Sequence, residues 1–385
     1  MDKVYALVDC DSFFVSCEQA VSPDLKGKPV CVTGGVNGCV VSRSREAKKA
    51  GVPMGYPTFM AKKEFKNVIY LEGNHQRYKE FSNRVMSVLK DFSPCVEVCS
   101  IDEAYVDFTG LCKLYKKNYY ELAVFLRQKI LEEIDIPVSI GVSKSKTLAK
   151  FASDYAKNQG GVYLIGKSKL KKILPTTKVD DICGIGRRMK TALNKEGILM
   201  CSEFVQKSDE WLKKKYSITY QELKHELLGE CIYKISTEYK APKSIQETSS
   251  FAPSTNDKDF LKNELNKHVK DACRKLRKHG LKTANIGVML KTKDFIVSSD
   301  SKNIEHPLSL EIDISKPVFE LFEKIYNPDL LYRSTGVFFS NLSNTDVVQG
   351  NLFDLQSSEK SDKLSASIDK IEAKFGKGAI KTGFV

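Results

Sequence analysis

No apolar stretch in these 385 residues approaches the roughly 20 needed to cross a bilayer. Met1-Asp2-Lys3 leads directly into a short strand pattern and not into an apolar leader. Membrane-spanning and secreted classes are thereby set aside, and a soluble, intracellular protein is expected. The eleven cysteines are odd in number and include no C-x-x-C pair, which argues against a disulfide framework and leaves reduced thiols as core filler. Cys95 and Cys99 lack the second pair that a cysteine metal site needs. Acidic charge is scarce: 48 Asp and Glu stand against 61 Lys and Arg, giving +13 and a pI near 9.0. Such a balance points to a polyanionic partner, nucleic acid first. The length suggests about two or three domains with ample core.

The acids that are present cluster where chemistry is plausible. Val96 and Val98, then Ala104, Val106 and Phe108, mark alternating arms around Asp102-Glu103, the pattern of a β-hairpin. A straight strand aims neighbouring side chains at opposite faces, whereas a turn lets both carboxylates share one space. They then repel unless a cation neutralises them, so the tip is either a solvated acidic turn or a divalent-metal site. A third acid, Asp9, ends the apolar run Val4 to Val8, which reads as a strand buried on both faces. An acid there costs stability unless paired or metal-bound. If the strand lies beside the hairpin, Asp9, Asp102 and Glu103 converge. Hard oxygen donors without His or Cys favour Mg²⁺ or Mn²⁺, and such a cluster suits two-metal phosphoryl transfer.

Further along, the pattern predicts a helix over Ser12 to Gln19, strands Val30 to Thr33 and Cys39 to Val41, and a short basic helix closed by Gly51. Arg43, Arg45 and Lys48 there either grip a triphosphate or form a solvated face. Helices are expected over 78–92, 115–134 and 146–157, the last capped by Ser143 or Ser145, with a strand over 137–142. Lys144, Lys146, Lys150 and Lys157 crowd that last helix, as a phosphate site or as solvated charge. Gly184-Ile185-Gly186-Arg187-Arg188 within 179–192 matches a helix-hairpin-helix, a sequence-independent DNA contact, or an ordinary helical turn. After a linker at 236–244 come strand 243–251, helix 258–278, strands 284–293 and 308–314, helix 317–326 and strand 333–342. This β-α-β-β-α-β order is a two-layer α+β module. Eleven Lys or Arg against Asp259, Glu264 and Asp271 within 258–293 read as a nucleic-acid footprint. In the polar tail, Gln349, Leu352 and Phe353 suggest a peptide that docks into a partner's groove or folds back on its own domain.

Asp9-Cys10-Asp11-Ser12-Phe13-Phe14, Ser100-Ile101-Asp102-Glu103-Ala104 and Gly141-Val142-Ser143-Lys144-Ser145-Lys146-Thr147-Leu148-Ala149-Lys150, in this order, strongly resemble the motifs of the Y-family translesion DNA polymerases. The resemblance covers nearly the whole chain. Gly38-Cys39-Val40-Val41-Ser42-Arg43 and the tail look more like the UmuC type, the catalytic subunit of bacterial DNA polymerase V, than like polymerase IV of the DinB type. It implies an α+β, multidomain right hand: palm (1–19 and 77–165), fingers (20–76), thumb with the helix-hairpin-helix (166–235), linker (236–244), little finger (245–342) and a tail (343–385).

By that resemblance Asp9, Asp102 and Glu103, with the Cys10 carbonyl, bind two Mg²⁺ ions, for which Mn²⁺ substitutes. Phe13 and Phe14 meet the nucleotide, Phe14 as the steric gate that excludes a ribose 2′-hydroxyl. Ser42, Arg45, Lys48 and Lys157 hold the triphosphate. Lys146, Lys150, Gly184, Gly186, Arg187, Arg188, Lys291 and Arg333 contact DNA, and Gln349, Leu352 and Phe353 bind the sliding clamp (β subunit). Primer-template DNA, dNTP, the clamp, a UmuD-like subunit and RecA are the implied partners, in a bacterial cytoplasm at the nucleoid. Many members carry Tyr where Arg45 stands and Arg where Lys48 stands, and a lysine makes no bidentate phosphate contact. No stretch resembles a proofreading exonuclease, which implies low fidelity. A nucleotide cyclase shares acidic palms but gives no reason for the basic modules. A non-catalytic, clamp-tethered DNA-binding protein has no use for three acids.

Overall fold

The computed structural model describes residues 2–35, 38–238, 241–344, 367, 370, 371 and 374–376. The peptide at Gln349, Leu352 and Phe353 lies outside the described residues. The chain forms two compact units, Met1–Glu238 and Tyr239–Val385.

The first unit runs β1 (Tyr5–Cys10), α1 (Phe13–Val21), β2 (Val30–Thr33), β3 (Val40–Arg43), α2 (Arg45–Lys49), α3 (Thr58–Glu64), β4 (Ile69–Glu72), α4 (His75–Phe92), β5 (Val96–Val98) and β6 (Glu103–Asp107). It continues with α5 (Leu111–Tyr115), α6 (Tyr119–Ile134), β7 (Val138–Ser143), α7 (Lys146–Ala156) and β8 (Val162–Leu164), then the helices α8 (Lys167–Ile173), α9 (Arg187–Lys195), α10 (Cys201–Val205), α11 (Asp209–Lys215) and α12 (Ile218–Leu227). Its main sheet has the order β5-β6-β1-β7-β8, and a small sheet has the order β3-β2-β4. All six residues of β1 are buried, as a central strand covered on both faces requires. Ala6 and Val8 meet the apolar faces of α4 and α6, including Val85, Leu89, Leu126 and Ile130, while Leu7 packs on Ala149 of α7.

The seating of α7 depends on Gly141. A Cβ built there would lie 2.0 Å from the Ser153 nitrogen and 2.2 Å from the Ala149 oxygen, so only glycine lets the helix backbone rest directly on β7. Ser145 supplies the cap, its Oγ accepting from the Leu148 N–H. The single helix expected over 115–134 is broken. Lys116 takes a left-handed φ of 52° and ends α5, and an Asn118–Glu121 capping box starts α6.

The second unit is β9 (Ile245–Thr255), α13 (Lys258–Lys278), β10 (Leu281–Thr292), β11 (Val297–Leu308), α14 (Glu311–Ile325) and β12 (Tyr332–Asn344). Its sheet has the order β11-β10-β12-β9, all neighbours antiparallel. Leu261, Leu265, Val269, Ala272 and Leu276, three or four residues apart, pack α13 on Ile286, Val288, Leu290, Val337 and Phe339. The element order matches expectation, but two boundaries do not. Residues 309–314 are no strand: the alternation of Leu308, Leu310, Ile312 and Ile314 runs from the end of β11 into α14, which carries Pro317 inside it. The true strand, β11, is an exposed edge, so it shows no apolar alternation.

Part of the charge excess over 258–293 is paired within the unit. Lys258 and Lys262 pair with Glu323, Lys275 with Glu247 and Arg277 with Glu311, acids delivered by other elements.

Candidate active site

Strands β1 and β6 are antiparallel neighbours with Asp9 directly opposite Glu103. Facing residues of an antiparallel pair project on the same side, so both carboxylates leave the sheet toward α7. Like charges so placed repel, and a lysine from α7 relieves them. Lys150 Nζ lies 2.9 Å from Asp9 Oδ2 and 2.8 Å from Glu103 Oε2. Burial alone lowers the Lys150 pKa, but the hydrogen bond to Glu103 and the charge and hydrogen bond of Asp9 outweigh it, and the net shift is upward. Lys157, two turns on, donates to the same Asp9 oxygen at 3.2 Å and to Asp154 Oδ1 at 3.1 Å. Burial opposes its charge too, and Asp9 and Asp154 raise its pKa past that.

Asp102 is fixed by the hairpin turn. The Cys10 N–H donates to its carbonyl at 2.8 Å, which ties the hairpin tip to the end of β1. Its carboxylate instead accepts from Ser100 Oγ at 2.5 Å. Two of the three acids therefore meet, and the third is adjacent but held by its own turn. Among the described residues no three His, Cys, Asp or Glu side chains form a ready-made metal cluster. Even so, the chemistry of the donors fits a divalent ion: two hard carboxylates already share one cation, the Lys150 ammonium, which stands where a metal charge would sit. Burial, with the charges of Asp102 and Asp9, holds the Cys10 thiol well above its usual pKa, so the sulfur stays neutral and the backbone carbonyl remains as its hard donor.

Cations gather next to the acids. Ser12, just before α1, has a left-handed φ of 48°, an uncommon conformation for a non-glycine residue that recurs at functional sites. Ser42 Oγ donates to its carbonyl at 3.2 Å and Lys48 Nζ to its Oγ at 3.0 Å, joining the small sheet to β1. Burial, followed by the positive charge of Arg43, lowers the Lys48 pKa; Asp11 opposes, and Lys157 and Arg45 add to the lowering. Ser42, Arg45, Lys48 and Lys157 thus surround one corner. Beside it a cavity of about 330 Å³ is lined by Asp11, Ser12, Arg45 and Arg127, among others.

Phe14 stacks on Tyr78, with ring centroids 4.5 Å apart and 17° between planes, and meets His75 edge-on at 6.1 Å. Tyr78 is itself fixed by its hydroxyl donating to Glu18 at 2.8 Å. The Phe13 ring is buried in the core, so any nucleotide contact it makes is through its backbone. Lys146 and Lys150, expected at DNA, are each paired within the chain. Lys146 pairs with Glu97 at 2.5 Å and lies 5.2 Å from the centre of the Tyr105 ring, and Lys150 is committed to the acids.

The turn at Gly184, Gly186, Arg187 and Arg188 is exposed, and Gly184 has a φ of 99° that favours glycine. Only its second arm, α9, is an α-helix; the first is the single 3₁₀ turn Val179–Asp181. In the second unit Lys291 and Arg333 flank the exposed Phe295 ring, 5.1 and 4.2 Å from its centre.

Three contributors escaped the sequence reading. Asp154 carries a usable signal, standing four residues after Lys150 and three before Lys157 on one helix face. Asp11, whose pKa is raised by burial against a 2.7 Å hydrogen bond from Ser139, carries none. Nor does Tyr78 beneath Phe14.

A sheet that presents paired carboxylates beside a cationic corner, with exposed basic turns on later elements, defines a nucleotidyl-transfer protein that acts on nucleic acid. Residues 8–154 match the model of the impB/mucB/samB family, and residues 242–352 that of the impB/mucB/samB family C-terminal domain. The chain is 30% identical to Protein UmuC of Salmonella typhimurium, over 98% of this chain and 92% of that protein. It is 31% identical to DNA polymerase IV of Dehalococcoides mccartyi, over 98% and 96%. A solved Y-family DNA polymerase chimera, Dbh-Dpo4-Dbh, superposes with a TM-score of 0.73 at 27% identity, covering 89% of this chain and 99% of that one. The insertion ternary complex of Dbh DNA polymerase superposes with a TM-score of 0.57 at the same identity and coverage. The chain belongs to the impB/mucB/samB family, the Y-family translesion DNA polymerases, whose members are generally metal-dependent. Relatives of the UmuC and polymerase IV kinds stand at nearly equal identity. No described helix is long and apolar enough to cross a membrane.

Proposed function

We propose that this chain extends a primer 3′-hydroxyl across damaged template DNA, taking dNTPs and releasing pyrophosphate. The observation that carries this reading is the Asp9–Glu103 pair facing one another across β1 and β6 next to Lys48 and Lys157. Two Mg²⁺ ions, or Mn²⁺, held by Asp9, Asp102, Glu103 and the Cys10 carbonyl would activate the hydroxyl and stabilise the leaving phosphate. The protein's own part is positioning and charge. Arg45, Lys48 and Lys157 hold the triphosphate, Ser42 braces the Ser12 backbone beside it, and Phe14, rigid on Tyr78, closes the space a ribose 2′-hydroxyl needs.

In this reading the main sheet with α1, α4, α6 and α7 is the palm, the small sheet the fingers, α8 to α12 the thumb and β9 to β12 the little finger. The exposed Gly184–Arg188 turn and the Lys291–Arg333 pair suit DNA phosphates. The Gly38–Arg43 segment favours the UmuC branch, and with it a UmuD-like subunit, RecA and a clamp docked at Gln349, Leu352 and Phe353. Primer extension across an abasic template, with Mg²⁺, tests the reading. Glu103→Gln should lower kcat by about a hundredfold or more, as loss of a group that stabilises transition-state charge does. Extension by Glu103→Gln at the parent rate would rule the reading out.

A further inference from the structure

On the metal-dependent reading above, we propose that Lys150 is a placeholder cation: its ammonium holds Asp9 and Glu103 together before divalent ions enter, then yields them and moves to Asp154. The geometry supplies each part. Asp9 and Glu103 stand 94 positions apart in sequence and face each other in register, with no natural reason to approach, since like charges directly opposite destabilise a strand pair. One ammonium, 2.9 and 2.8 Å from the two carboxylates, removes that repulsion. The landing place is already within reach. Asp154 Oδ1 is 4.0 Å from the same Nζ, one helical turn along α7. Lys157 shows that one ammonium spans these carboxylates, being 3.2 Å from Asp9 and 3.1 Å from Asp154.

The lysine stem is flexible, and its head a compact point charge that carries no fixed directionality, unlike a guanidinium fork. Its release therefore needs only rotation about side-chain bonds, while the helix that carries it stays seated on Gly141. Two consequences follow from charge alone. Metal entering the site competes with a resident positive charge, so Lys150 weakens divalent binding. Without Lys150, the metal-free protein keeps only Lys157, which touches Asp9 and not Glu103, so the repulsion within the pair is relieved only in part, which is costly where water is partly excluded.

Mn²⁺ titrated into the full chain, without DNA or nucleotide and followed by the electron paramagnetic resonance of the free ion, measures the first consequence. Site binding is the part lost in Glu103→Gln. Lys150→Met should bind Mn²⁺ about tenfold more tightly, the scale set by one charge-assisted hydrogen-bonded contact. Lys150→Arg, which keeps the charge, should return to within about threefold of the parent, because the electrostatic competitor is restored. Asp154→Asn, which removes the landing place, should bind several-fold more weakly.

Thermal unfolding in chelator measures the second consequence. Lys150→Met should melt below the parent, and the loss should shrink in the Glu103→Gln background, because only one member of the repelling pair remains charged. Parent protein that takes up no Glu103-dependent Mn²⁺ overturns the metal reading and the handover with it. Parent that binds while Lys150→Met binds equally or more weakly overturns the handover alone.

Discussion

The carboxylate of Glu226 on α12, wholly buried, accepts a hydrogen bond from the backbone N–H of Thr147 at 2.9 Å, in the first turn of α7. Its other oxygen accepts from the N–H groups of Ile232 and Tyr233, at 2.8 and 2.9 Å, and its carbonyl from Ser145 Oγ at 2.6 Å. One side chain thus fastens the helical region to the helix that carries Lys150 and Lys157. A carboxylate at a helix N-terminus is also favoured by the helix dipole.

Replacing Glu226 by Ala strands the buried N–H of Thr147, at about 1–3 kcal/mol, and leaves the part-buried N–H groups of Ile232 and Tyr233 to water at a lower cost. The first unit should lose about 2 kcal/mol of stability in urea unfolding, whereas Glu226→Gln, which keeps an acceptor oxygen, should lose clearly less. Equal losses would mean that the site is filled for shape and not for its hydrogen bonds.

Phe14 owes its position to Tyr78, so the two should act together on sugar choice. Phe14→Ala should raise the ratio of ribonucleotide to deoxynucleotide kcat/KM by about tenfold or more, the range expected when a pocket stops excluding a small group. Tyr78→Ala should do the same less strongly while destabilising the fold. Single-nucleotide insertion with matched dNTP and rNTP pairs reads both.

The helical region contains a histidine clasp. His225 lies 2.8 Å from Asp209 through Nε2 and 3.0 Å from Glu230 through Nδ1. Hydrogen bonds to Asp209 and Glu230 raise its pKa above 6.5. Hydrogen bonds from Lys224 and His225 lower that of Asp209 to about 2. A raised histidine pKa contributes stability that is full below the unfolded value and is lost as pH rises through the folded one. The depressed Asp209 contributes above the ordinary value of 3.8 and is lost as pH falls toward about 2. The urea midpoint should therefore decline from pH 6 upward through the raised value, and His225→Asn should flatten that decline. A variant with the parent's pH slope would contradict the clasp.

Arg187 and Arg188, exposed at the start of α9, should meet phosphate rather than bases. Replacing both by Ala should weaken duplex binding alike for all sequences and reduce the slope of log K against log salt by about 2, near 0.9 per phosphate contact. Fluorescence anisotropy at several salt concentrations measures this. An unchanged slope would remove the turn from the DNA interface.

Much of the fold can be read from the chain because its signals are local. The buried strand that ends in Asp9, the hairpin around Glu103, the Ser145 cap and helix Lys258–Lys278 each show in neighbouring residues, through side-chain period, capping chemistry and glycine placement. Where a local signal misled, a different physical cause produced the same pattern. The alternation over 308–314 came from a helix entry, and the real edge strand had no buried face to mark it.

What the sequence by itself determined is therefore which elements form and which side chains the site has available: acids at strand ends, lysines on one helix, an aromatic pair after Ser12. Which charges meet across long stretches of chain was decided by tertiary structure alone. Lys150 reaches Asp9 across 141 positions, Glu226 reaches Thr147 across 79, and the acids that pair with Lys258, Lys262, Lys275 and Arg277 of α13 arrive from β9 and α14. Coulomb and hydrogen-bond energies depend on distance in space, and separation along a chain leaves no periodic trace of it.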